Sequence, residues 1–174
     1  MDQILESLRE RAGDLVGQMA GASEISRLAE RLKKPEFAPL IRIYQEFPVC
    51  GMIVKFSVDP EGTVGPPNEE CICEYDPDRD HEFDWVWPAQ ISQDIASSLA
   101  GPAAFLAGFV PIGMSTIGGD DYYLRLLTPR KAPVYLFQVY YDWYDADRGV
   151  LVMPEAVHLV CKSFADAIRV AHFE

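Results

Sequence analysis

Between Phe109 and Phe164 the chain carries a succession of strand-like runs, each closed by glycine or proline, and this constrains the fold more than any other feature. Phe109-Val110-Pro111-Ile112-Gly113 reads as a strand that ends at a glycine. Gly118-Gly119-Asp120-Asp121 reads as a tight turn into Tyr122-Tyr123-Leu124, and Pro133–Phe137 follows as an apolar strand. The run closes on Cys161-Lys162-Ser163-Phe164, where Ser163 is placed to cap a helix carrying Ala167 and Ile168. Strands this close in sequence have no room for crossover helices, so they pair mainly antiparallel. The predicted strands are Gly108–Ile112, Asp121–Leu127, Pro133–Asp142, Val150–Met153 and Ala156–Val160.

The first part of the chain has a different texture. Ile4, Leu5, Leu8, Leu15, Val16 and Met19 fall on one face of a helical period, with charges opposite. Gly21 interrupts, Ser23 is a candidate cap, and Ile25, Leu28 and Leu32 continue the pattern. Pro35 suits the first turn of a third helix reaching Glu46. Cys50–Val58 then reads as a strand, Cys71–Tyr75 as a short one, and Pro88 as the start of a helix carrying Ile91, Ile95 and Leu99. Pro102–Ala107 extends or follows that helix. Helices, then antiparallel strands, then one closing helix predict an α+β fold. The expected domain spans residues 1–174, with helices over about 1–46, one mainly antiparallel sheet over about 49–161 and a final helix over about 163–172.

Acidic residues outnumber basic ones 27 to 15, a net charge of −12. Such a surface repels phosphate backbones, which argues against nucleic acid as a ligand and favours a basic protein partner. No apolar run approaches the ~20 residues needed to span a bilayer. The N-terminus has no basic patch followed by an apolar stretch, so the expectation is a cytoplasmic protein.

Chemical motifs are sparse. Cys50, Cys71, Cys73 and Cys161 lack zinc-site spacing, and His81, His158 and His172 do not complete a set. Free thiols in a reducing compartment are expected. Acidic residues alternate at Asp76, Asp78, Asp80, Glu82 and Asp84, which reads as a solvated loop. Counted from Asp76, a calcium hand would need glycine where His81 stands and a bidentate Glu where Trp87 stands. A weak site of another type is the alternative. Gly118-Gly119 precedes aspartates and a strand rather than a helix, so it is a turn and not a phosphate loop. No Gly-x-Ser-x-Gly elbow or nucleophile–base pair stands out, and no cofactor or catalytic residue is assigned.

Two segments combine aromatic rings with carboxylates, the composition that protein interfaces favour. One is Tyr140–Gly149, with Asp142, Trp143, Asp145 and Asp147 as candidate partner contacts; its rings are also candidate core residues of a hairpin. The other is Asp84, Trp85 and Trp87, where extended alternation would place both indoles on one face.

The order from Trp85 to Ile168 resembles the SUKH superfamily, the fungal cell-wall-assembly regulator type, of which many bacterial members are toxin-neutralising immunity proteins. The resemblance rests on Pro111, Ile112 and Gly113; on Gly119, Asp120 and Tyr122; on Val134 and Tyr135; and on Ser163 and Phe164. It departs in the first half, where the family's Leu-Pro before a helix ending in Asn-Gly is missing from Lys34-Pro35 to Phe47. The resemblance implies a single α+β domain without a shared catalytic centre, acting by binding a protein such as a basic toxin domain. It nominates no contact residue. A regulatory or scaffold protein of the same fold, or an enzyme whose site is assembled from scattered residues, are the alternatives.

Overall fold

Prolines and short amphipathic repeats set the helices of this chain, seen in a computed structural model that describes residues 1–33, 35–59, 74–75, 78–98, 100–118, 121–126, 133–140, 144–152 and 155–174. Helix α1 (Asp2–Glu10) buries Ile4, Leu5 and Leu8. Helix α2 (Ala22–Arg31) follows, then a 3-10 turn at Pro35–Phe37 and α3 (Ala38–Glu46). Strand β1 (Ile53–Ser57), β2 (Glu74–Tyr75) and β3 (Asp80–Trp85) precede α4 (Pro88–Ser97) and α5 (Gly101–Leu106), both with proline in the first turn. The remaining strands are β4 (Phe109–Ser115), β5 (Asp121–Arg125), β6 (Leu136–Val139), β7 (Tyr144–Asp145), β8 (Val150–Leu151) and β9 (Val157–Cys161). Helix α6 (Phe164–Val170) and β10 (His172–Phe173) end the chain.

The fold is α+β with one main sheet. Its order is β10-β1-β3-β4-β5-β6-β9-β2, and every pairing is antiparallel except the last. Strands β7 and β8 form a separate hairpin. One face of the sheet packs Val54, Phe83, Trp85, Ile112, Tyr122 and Leu136 against the helices in a cluster running from Met1 to Phe173. The other face carries a smaller cluster of Phe109, Tyr123, Phe137 and Leu159 beneath Ala104 of α5. Pro111 sits within β4, a central strand, where its missing N–H would break a ladder. The register shifts between Pro111 and Gly113, a bulge that absorbs the defect. A Cβ at Gly113 would run into the Phe83 ring, so the strand crosses that ring only with glycine there.

Three expectations are corrected. The first helix stops at Glu10, and Val16 and Met19 are exposed rather than on its buried face, because Gln18 pairs with Cys50 as an isolated β-bridge. Helix α2 starts at Ala22 with Gly21, not Ser23, at the cap. The acidic run expected as loop is strand from Asp80: the alternation is the pleat itself, with His81, Phe83 and Trp85 buried and Asp80, Glu82 and Asp84 turned outward. Ser163 does cap α6, its hydroxyl accepting from the Asp166 N–H at 3.2 Å.

Candidate functional site

The β7–β8 hairpin is built by its own turn chemistry. Tyr144 pairs with Leu151 and Asp145 with Val150. The Asp145 carboxylate accepts from the Arg148 N–H at 3.0 Å, and its carbonyl accepts from the Gly149 N–H at 2.8 Å. Gly149 has φ of 64°, a left-handed conformation that glycine adopts without strain. Asp145 is therefore a turn residue, and its carboxylate is partly engaged within the hairpin. Asp147 is exposed in the turn. Asp142 and Trp143 lie outside the described residues.

Apolar surface adjoins this turn. Leu106 at the end of α5 is 86% exposed, and Val150 and Val152 are exposed as well. A cleft of about 380 Å³ opens here, lined by Leu106, Ala107, Phe109, Arg125, Val150 and Leu151. Reading the sequence missed it, because its walls come from α5, β4, β5 and the hairpin, segments whose residues show no shared spacing. The Arg125 guanidinium lies 5.7 Å from the Phe109 ring centroid.

The second nominated patch separates on inspection. Trp85 is fully buried; its indole N–H donates to the Tyr44 hydroxyl at 3.2 Å and its ring lies 5.6 Å from that of Phe164. It is a core residue and not a partner anchor, because strand alternation turns it toward the helices. Trp87 lies beyond the strand, at the cap of α4, partly buried against the same core. Asp84 is half-buried on the opposite face, paired with Ile53 on one side and Met114 on the other. Met114 is near the end of β4 and Phe109 begins it, so Asp84 and the hairpin cleft are roughly 15 Å apart along the strand. The two patches do not merge.

Beside Asp84 the outer face is an ion-pair network. Lys55 reaches Glu82 at 3.2 Å and Glu174 at 2.8 Å, and the Thr116 hydroxyl donates to Glu82 at 2.7 Å. The Thr116 and Lys55 bonds hold the Glu82 carboxyl below the usual range, and Lys55 does the same for Glu174. Those carboxylates in turn raise the Lys55 ammonium. A cleft of about 430 Å³ lies alongside, with Ser57 donating to Asp80 at 2.5 Å. His81 is buried at its edge; Nε2 donates to the Asp78 carbonyl at 3.2 Å, and Nδ1 lies 3.1 Å from the Tyr122 hydroxyl. The described geometry serves to tie β1, β3 and β10 together.

Among the described residues no group of three or more His, Cys, Asp or Glu is arranged to hold a metal ion. Burial pushes the Cys50 and Cys161 thiols up to about 12, which makes them poor nucleophiles at neutral pH. Cys71 and Cys73 lie outside the described residues, as do Asp76 and the Gly119-Asp120 pair. Among the described residues no helix is long and apolar enough to cross a membrane. Comparison with family models, with characterised proteins and with solved structures returned no match to this chain.

Proposed function

We propose that this chain is a non-enzymatic binding domain that holds a basic protein partner on its hairpin surface, and that the partner is a toxin which it neutralises. The observation that carries the binding reading is the hairpin itself: an exposed Asp147 beside the exposed side chains of Leu106, Val150 and Val152. Apolar anchors rimmed by charge are the usual anatomy of a protein interface. The net charge of −12 supplies the long-range attraction for a basic partner. The toxin is what the resemblance to the SUKH superfamily implies. The test has two stages. A pull-down from the native cell identifies any stoichiometric basic protein. Cells expressing that protein are then rescued by the wild-type chain and not by a folded variant combining Asp147→Lys with Val150→Ser. Rescue by the variant at the wild-type level removes the hairpin from the interface; a partner that is harmless when expressed alone removes the toxin reading.

A further inference from the structure

The cleft between α5 and the hairpin sets a cation among apolar walls. Its walls are apolar: Ala103, Leu106, Ala107, Phe109, Val150 and Leu151. The charged side chain among its lining residues is Arg125, a cation on a molecule of net charge −12. Arg125 stands across from Phe109 in the β4–β5 ladder, and the Phe109 ring holds its guanidinium in place. Among the described residues no carboxylate forms an ion pair with it, and the Asp145 carboxylate of the hairpin accepts from the Arg148 N–H. A guanidinium half-sheltered by apolar walls gains most from an anion with two oxygens in one plane, which it binds bidentately.

We propose that this cleft binds a medium-length acyl or aryl monocarboxylate. Its apolar body lies among Leu106, Phe109 and Leu151, and its carboxylate sits on Arg125. A volume of about 380 Å³ is within the usual range for small-molecule sites. At the roughly 30 Å³ that a water molecule occupies in the liquid, it holds about a dozen non-hydrogen atoms. Filling it covers Leu106 and Val150, whose exposure is otherwise unfavourable. The inference shares Leu106 and Val150 with the protein-partner reading but rests on Arg125 and Phe109, which that reading does not use, so either can fail without the other.

Three probes that differ in headgroup alone decide it on the wild-type chain: decanoate, decanol and decylamine, each below its aggregation threshold, followed by calorimetry and by backbone amide shifts. Decanoate is expected to bind, with shifts centred on Leu106, Phe109 and Leu151. Decanol is expected to bind about tenfold or more weakly, the loss of one charge-assisted interaction, and decylamine more weakly still. Arg125→Gln should bring decanoate down to the decanol level, while Ala107→Trp, which fills the cleft, should abolish both. Equal binding of decanoate and decanol to the wild type overturns the proposal, as does no binding of decanoate or shifts that fall elsewhere. The headgroup comparison requires no variant, so it stands even if a substitution unfolds the chain.

Discussion

Tyr44 shows how one buried polar group can fix a neighbourhood. Its hydroxyl donates to the Val86 carbonyl at 2.9 Å and accepts from the Trp85 indole at 3.2 Å, with Tyr44 and Trp85 both fully buried. Burial drives the phenol's pKa far up, so the hydroxyl stays protonated at any ordinary pH. Tyr44→Phe leaves a carbonyl and an indole N–H without a partner, and should cost about 1–3 kcal/mol in denaturant unfolding with no change in slope. An unchanged midpoint would mean that water replaces the hydroxyl. Asp94 on α4 is the opposite kind of group, a carboxyl whose pKa partial burial raises. A raised carboxyl penalises folding once it ionises: the native state is relatively favoured below the ordinary carboxylate range, and loses that advantage as pH climbs through the raised value. Asp94→Asn should therefore stabilise the chain at neutral pH and have a shrinking effect as the medium becomes acidic. A thermal-melt series showing the reverse trend would refute the sign. Neither role was visible in sequence, where Tyr44 and Asp94 are ordinary helical residues and only three-dimensional burial marks them.

At the scale of elements, legibility followed punctuation. The cap of α6 was readable because Ser163 stands where the helix begins, and β5 starts at Asp121 as expected, whereas Gly113, expected to end its strand, lies inside β4, which runs on to Ser115. The acidic strand β3 was misread since alternation of charge looks alike in a solvated loop and on the open face of a sheet; Phe83 and Trp85, at the intervening positions, were the missed signal. Strand β10 had no signal of its own, being two residues long and defined by its pairing with Val54 and Lys55. The hairpin was legible as a turn, whereas the cleft beside it depends on four elements meeting. Another long-range link was equally hidden. Arg11 donates to the carbonyls of Ile168, Arg169 and Ala171 at 3.1, 2.6 and 3.0 Å and lies 4.9 Å from the Phe173 ring centroid. It thus closes the carboxyl end of α6 with a cation supplied from beyond α1, satisfying carbonyls that a helix of this length leaves open. Arg11→Ala should cost about 2 kcal/mol or more and speed amide exchange in α6 and β10 before the rest of the sheet. Uniform loss of protection across all elements would show that Arg11 does not act locally.

On the scale of the whole molecule, the proposed binding role would use charge and apolar surface at different steps of association. The excess of 27 acidic over 15 basic side chains sets a field that would reach a basic partner of the proposed kind well before contact. Several of the acidic groups are already engaged in internal ion pairs: Glu46 with Arg9 and Arg42, Glu82 and Glu174 with a shared Lys55, Glu10 and Asp166 with a shared Arg169. Asp147 has no such ion pair among the described residues, so it is the carboxylate of the hairpin with most to offer a partner. Reversing it with Asp147→Lys changes the local charge by two units at the rim of the surface. Rim charges act on encounter, so the association rate should fall by roughly tenfold at low salt and the difference should fade as the ionic strength passes 0.1 M, where the screening length is about 10 Å. Val150→Ser removes apolar contact instead, and should leave the association rate alone while raising the dissociation rate. Stopped-flow binding of the two variants over a salt series separates these effects. If Asp147→Lys changed dissociation and kept its effect at high salt, Asp147 would be a buried contact of the complex and the apolar patch would have to serve another occupant.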